Sequence, residues 1–316
     1  MSNEHQRPAL SPELSKRLHT IEHRYLLRIV LFLALYMVAA IGATALFQTL
    51  GGAWWAFFVC VPLYVLAAAS LHGISLFTHE GVHGVLFRNP LLNRALSTAC
   101  AMPVLQNFAG YRVLHLRHHK HTGAHGDPDH YKNYTERSWL VFGMHWGRLL
   151  LGYPAYITAI PILGFIQGKW RDRVWIVVEV SLLVGFIVAV LQSPIPTEYL
   201  IHGWVIPMLF INTMVNIRGM SQHTLLEHAT DVIKGTRSIL TNRVTTFFMC
   251  NENYHLEHHL YPGVPWYHLP ELHHTLKDEL KEQGAPFVPS YAAFVREFVQ
   301  ATVMGKPVGT VDLKDL

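Results

Sequence analysis

The chain has 316 residues, 51% hydrophobic and only 15% charged, with a net charge of +4. Soluble domains carry about a quarter charged residues, so an ordinary soluble enzyme is excluded as the first reading and a membrane protein is expected; the small positive excess is met by anionic lipid and calls for no nucleic acid. Three cysteines without Cys-x-x-Cys spacing, Cys60, Cys100 and Cys250, exclude a disulfide framework and a thiolate metal site, whereas 22 histidines demand a function.

The first two dozen residues are polar and lack the pattern of a cleaved signal peptide, so the N-terminus is expected to stay where it is made. Four stretches, about 27–50, 54–77, 174–192 and 199–217, are apolar over the roughly 20 helical residues that cross a hydrocarbon core. Two more, about 91–109 and 149–166, are shorter or broken by Pro103, Pro154 and Pro161 and read as interfacial or re-entrant helices. Glu179 sits inside the third span, where it lines a helix interface or is protonated.

The expected fold is therefore all-α and integral to the membrane. Four transmembrane helices form two hairpins, joined by interfacial helices and a cytoplasmic helical cap, in one catalytic unit over residues 1–316. The loops around Gly51-Gly52 and Ser193–Thr197 carry no cation, and all 25 Lys and Arg fall in residues 1–28, 78–173 and 218 onward. By the positive-inside rule both termini and segments 1–26, 78–173 and 218–316 are cytoplasmic.

Histidines cluster on that same side. His79-Glu80-Gly81-Val82-His83 follows the second span, then comes His115-Leu116-Arg117-His118-His119, and His255-Leu256-Glu257-His258-His259 lies beyond the fourth. Spacings of three and four put side chains on one helix face, so each box offers converging imidazoles. Eight are too many for one tetrahedral zinc and suit two metals with open positions, although imidazole alone does not choose between iron, zinc and copper. His228, just after the fourth span, is a ninth candidate; His223 and His72 rank lower. Asp127, Asp129, Glu227, Asn251, Glu252 and Glu257 are candidates to accept the second ring N–H of a ligand, with a plain turn as the alternative for Asp127-Pro128-Asp129. His79-Glu80-x-x-His83 also matches the zinc metalloprotease pattern, but that reading leaves two boxes unused. A metal transporter would carry its histidines inside the spans.

The three boxes resemble those of the membrane fatty acid desaturase and hydroxylase superfamily over roughly residues 30–280. Asn253-Tyr254-His255-Leu256-Glu257-His258-His259-Leu260-Tyr261-Pro262 is especially similar to bacterial desaturases, as is the Glu227-His228 pair. The resemblance implies two non-haem irons bound by His79, His83, His115, His118, His119, His228, His255, His258 and His259, O2 as co-substrate, and a fatty chain in an apolar channel. It also implies a bacterial inner-membrane setting.

The first box has three intervening residues and reads His-Glu, as in alkane hydroxylases. Thr224 stands where acyl-coenzyme A desaturases place a water-holding asparagine, which disfavours an acyl-coenzyme A substrate. The second box, with two intervening residues, departs from alkane hydroxylases in turn. Desaturation is the expected outcome. Hydroxylation and oxidative decarboxylation of a free fatty acid to a terminal alkene are the alternatives. With no cytochrome b5 pattern, ferredoxin or rubredoxin cysteines, or glycine-rich nucleotide motif, electrons are expected from a separate ferredoxin- or rubredoxin-like donor and its reductase.

Overall fold

The computed structural model describes residues 7–226 and 231–304. Helix α1 (Pro12–Leu18) starts at Ser11, whose hydroxyl accepts the Leu14 N–H. A short 3-10 turn then leads into α2 (Leu27–Thr49). Gly51 and Gly52, both at positive φ, turn the chain into α3 (Ala56–Val82), which packs back along α2. A Cβ on Gly73 would lie 2.5 Å from the Phe32 ring, so the glycine sets that approach. The far side of α2, with Leu27, Val30, Leu33 and Val38, is exposed and apolar, as a lipid-facing helix requires.

The segment read as one helix over 91–109 divides in two. Helix α4 (Pro90–Ala101) gives way to a 3-10 turn at Met102–Val104 that holds Pro103, Leu105 takes φ 60°, and α5 (Phe108–His121) begins afresh. The carbonyls freed at the break are not orphaned: Pro103 O accepts Trp204 Nε1 at 2.7 Å and Val104 O accepts the Tyr153 hydroxyl at 2.6 Å.

Then follow α6 (Ser138–Gln167), α7 (Trp170–Leu191), α8 (Thr197–Leu200), a π-helical turn (Ile201–Val205) and α9 (Ile206–His223). Among the described residues five stretches are long and apolar enough to cross a membrane, namely Pro12–Thr49, Ala56–Val82, Ser138–Gln167, Trp170–Leu191 and Thr197–His223. Four match the spans read from the sequence. The fifth, α6, runs for 30 residues where a shorter interfacial or re-entrant piece was expected over 149–166.

Pro154 bends α6 instead of ending it, and Leu151 leaves helical geometry at φ −135° and ψ 17°. Asn212 of α9 repairs both edges of the bend. Its Nδ2 donates to Leu150 O at 2.9 Å and its Oδ1 accepts the Tyr153 N–H at 3.1 Å, while Asn216 Nδ2 reaches Leu149 O at 3.5 Å. Buried backbone that must be satisfied inside the protein is thereby satisfied.

The second hairpin is open. Helix α7 packs on α5 and α6, whereas α9 packs on α3 and α6. Glu179 explains where α7 goes, because its carboxylate accepts the Ala109 N–H at 2.6 Å and pairs with Arg94 at 2.9 Å, which ties α7 to the start of α5 and to α4. Of its two sequence readings, lining a helix interface, here as an ion pair, is the one observed.

The rest of the chain forms a cap over one end of the bundle. It comprises α10 (Val232–Gly235), β1 (Ser238–Ile239), α11 (Arg243–Phe248), α12 (His255–Leu260), α13 (Leu269–Glu282), β2 (Phe287–Val288) and α14 (Tyr291–Met304). Strands β1 and β2 pair in parallel, Ser238 with Phe287 and Ile239 with Val288. Leu269, Leu272, Leu276 and Leu280 recur at helical spacing on α13 and bury against Leu256 and Leu260 of α12. Each such leucine contributes about 1.5–3 kcal/mol. That seam fixes α12, and with it the third histidine box.

Candidate metal centre

Each box sits where the backbone is held from outside. The first occupies the last turn of α3, with His83 as the C-cap and Gly84 (φ +72°) turning the chain away. Between the two histidines a Cβ on Gly81 would lie 1.7 Å from Ser97 Oγ, so the glycine lets α3 close on α4. The second box rides on α5, whose start is fixed by Asn107 Oδ1 accepting the Gly110 N–H at 2.7 Å. The third lies on the six-residue α12, entered through Cys250 (φ 45°) and Asn251 (φ 58°). Two successive non-glycine residues in the left-handed region persist only when their surroundings impose them.

The rings gather into two groups. His79, His83, His115, His119 and His258 form one, and His118, His223, His255 and His259 the other; within each group one nitrogen per ring lies within 4.8 Å of all the rest. In the first group Nε2 of His115 is 3.1 Å from that of His83 and 3.0 Å from that of His119, and His258 Nε2 is 3.2 Å from His119 Nε2. In the second, His118 and His223 approach to 3.2 Å and His255 and His259 to 3.0 Å, again through Nε2. The groups touch where His119 stacks on His259, ring centroids 4.1 Å apart.

Burial holds His83, His115, His119, His258 and His259 well below the ordinary imidazole value and His255 at about 4, so these rings are neutral. The second ring nitrogens decide what faces inward. His118 Nδ1 donates to Asp127 at 2.9 Å and His223 Nδ1 to Gly235 O at 3.0 Å, so that in the neutral rings Nε2 is the free acceptor nitrogen, and the two Nε2 atoms face each other. His79 Nδ1 lies 2.9 Å from Glu252, and its buried Nε2 has no protein partner. Lone pairs converging in a dry site call for a cation. Two nitrogens at right angles, each about 2.1 Å from one ion, lie about 3.0 Å apart, which is the spacing seen here. The residues fit two metal ions.

The candidate outer partners divide. Asp127 holds His118; burial opposes charge on that imidazole, but Asp127 outweighs it and raises His118 above its ordinary value, the pull that makes a ligating ring more basic. Glu252 serves His79, lies 3.7 Å from His255 Nδ1, and is held well below the usual carboxylate range by His79 in spite of its burial. Asn251 instead donates to Trp266 O, and Glu257 accepts His273 Nδ1 at 2.5 Å and the Ser238 hydroxyl. Asp129 lines the adjoining cavities and contacts no ligand ring among the described residues.

Glu227 and His228 lie outside the described residues. His223, ranked low from the sequence, stands in the second group because α9 runs six residues past the apolar stretch that predicted it. His72 is buried but joins neither group. Glu80, the water-activating residue of the protease pattern, accepts the Trp266 N–H at 2.9 Å, while His79 and His83 share their group with three further imidazoles.

Two cavities meet at this centre. The larger, about 540 Å³, runs from His118 and His255 along α6 past Leu151, Ala155 and Ala159 to Leu163. The smaller, about 340 Å³, abuts His118 and His223 beside Asp127, His130 and His145.

A family model described as fatty acid desaturase matches residues 52–291. The chain is 23% identical over 249 residues to the sn-1 oleoyl-lipid 12-desaturase of Arthrospira platensis, covering 67% of this chain and 66% of that protein. It is 26% identical over 274 residues to the dihydrorhizobitoxine desaturase of Bradyrhizobium elkanii (78% and 74%), and 25% identical over 216 residues to the beta-carotene ketolase of a Paracoccus species (63% and 72%). The match spans just under two thirds of the length of the first of these relatives.

Proposed function

The chain belongs to the fatty acid desaturase family, and from that premise we propose that it is a membrane oxidoreductase. In this reading it uses O2 and two non-haem irons to remove hydrogen from an unactivated carbon of a fatty chain, leaving a double bond. One observation carries it: among the described residues nine imidazoles gather in two adjacent groups, and four of them, His79, His115, His118 and His255, line a long cavity that runs along α6. Bound there, iron would supply the oxidising power that no side-chain acid or base has. The chain's own residues do the rest. Asp127, Glu252 and the Gly235 carbonyl orient rings, the packing of α13 on α12 fixes the helix that carries His258, and the α6 cavity aligns the chain. Desaturation is favoured over hydroxylation and decarboxylation because two of the three relatives above are named desaturases.

Reducing O2 to two waters takes four electrons, of which the two C–H bonds give two. The other two would come from a ferredoxin- or rubredoxin-like donor with its reductase. In this reading the chain sits in a bacterial inner membrane; α6, flanked by Arg137 and Lys169, enters and leaves on the same face without crossing, the other four apolar stretches cross, and the segregation of Lys and Arg supports both termini and the histidines on the cytoplasmic side.

The test is metal analysis of the purified chain together with mass spectrometry of lipids and volatile hydrocarbons from expressing cells. Two irons per chain and a new internal alkene are expected. One zinc per chain with peptide cleavage would overturn the reading, whereas an alcohol or a shortened terminal alkene would overturn only the choice of desaturation.

A further inference from the structure

The larger cavity has a polarity that runs along its length. Helices α5 and α9 both lie antiparallel to α6. Gly110 at the start of α5 meets Ile160 and Gly164 of α6, and Gly219 near the end of α9 meets Arg148. One end of the cavity is therefore Ile160 and Leu163, and the other is His118, Gly219 and Arg148. From Arg148 to Leu163 the helix rises about 22 Å. An extended chain advances about 3.5 Å per three bonds, so at most about 19 bonds fit.

Two donors wait at the histidine end. Arg148 is half-buried and lines both cavities where they meet. The ion-paired arginines among the described residues are Arg17, Arg24, Arg94 and Arg218, so no described carboxylate lies within 4.0 Å of Arg148. Asp129 shares its wall at a greater distance. One turn beyond Gly219, Gln222 is 8% exposed and its Nε2, buried on the wall of the larger cavity, has no hydrogen-bond partner among the described residues. An amide without a partner among the described residues, and a guanidinium hydrogen-bonded to the Tyr131 hydroxyl but paired with no described carboxylate, are costly beside this cavity unless something anionic completes them.

We propose that Arg148 and Gln222 recognise the free carboxylate of an unesterified fatty acid, held head-first against the histidine centre with its tail along α6 towards Leu163. This rests on the reading that a fatty chain occupies that cavity. Its consequence is positional: the carbons next to the carboxyl group, not those in mid-chain, come within reach of the metal site, and a neutral ester or amide head lacks the charge that Arg148 selects.

The experiment compares binding and oxidation of dodecanoate and methyl dodecanoate by the full iron-loaded chain and by Arg148→Gln, Arg148→Lys and Gln222→Leu variants. Wild type should bind dodecanoate at least about tenfold more tightly than the ester. Arg148→Gln should erase that preference by raising KM for the acid with little change in kcat, while iron content stays the same. Arg148→Lys should restore part of the preference, and Gln222→Leu should weaken acid binding by a smaller factor. Oxidation should map to the first carbons after the carboxyl. Equal binding of acid and ester by wild type, an unchanged acid KM in Arg148→Gln, or a mid-chain product would each overturn the proposal. The wild-type comparison stands even if a variant fails to fold. If no fatty chain is oxidised although acid binding depends on Arg148, the redox reading falls and the carboxylate site survives.

Discussion

The five-histidine and four-histidine groups orient their rings by different means. Among the described residues of the first, only His79 has a carboxylate behind it; the other four are positioned by helix termini, by burial and by each other, and His258 Nδ1 has no described partner. In the second, His118 leans on Asp127, His223 on the Gly235 carbonyl, and His259 lies 3.5 Å from the Thr122 hydroxyl. The second group also borders the smaller cavity through His118 and His223. Among the described residues, a crowded group can do without props because every ring is a neighbour's wall, whereas a sparser one depends on outer hydrogen bonds.

The largest expected effect comes from removing one ring from each group. His223→Ala leaves three imidazoles of the described group and should cost about half of the bound iron, with activity down at least about 100-fold, since a ligand should matter no less than the outer partners whose loss costs 10–100-fold. His83→Ala leaves four, so activity should fall likewise but with more iron retained. Iron per chain, measured on both variants, decides this; equal losses would break the contrast. The carboxylates should act next in size. Glu252→Gln, which touches His79 closely and His255 more distantly, should lower iron affinity at both groups by about 10–100-fold, whereas Asp127→Asn should weaken only the second. Competition with a chelator would show one lowered affinity or two, and two for Asp127→Asn would refute the separation. Smallest is Asn212→Leu, which touches neither group. It strands a carbonyl and an N–H of α6 at about 1–3 kcal/mol each, so the melting temperature should drop while iron stays bound. An unchanged melting temperature would mean that the α6 bend does not need Asn212.

The sequence made the parts governed by local periodicity legible. Span length revealed α2, α3, α7 and α9, and three-and-four spacing revealed all eight box histidines. What stayed hidden depends on contacts distant in the chain. Nothing near Pro154 announces that Asn212 will keep α6 running, nothing near Glu179 announces Ala109, and His223 joins its group only because α9 outlasts its apolar stretch. Arg148 looked like any cytoplasmic cation until α9 placed Gly219 against it. Chemistry alone put Asp127, Glu252 and Glu257 in one class; which carboxylate lies beside which ring is set by the cap, where Asp127 meets His118, Glu252 lies by His79 and Glu257 meets His273.

The bend in α6 reaches back to the ribosome. The polar groups it exposes, at Leu150 and Tyr153, are met by a side chain 62 and 59 residues further along. When α6 first leaves the ribosome, Asn212 has not been translated, and each unmet backbone group in hydrocarbon costs several kcal/mol. The emerging helix therefore has reason to wait at the wet surface of the bilayer until α9 is made. The wall of the larger cavity is then completed late in synthesis, by the same step that seats α6.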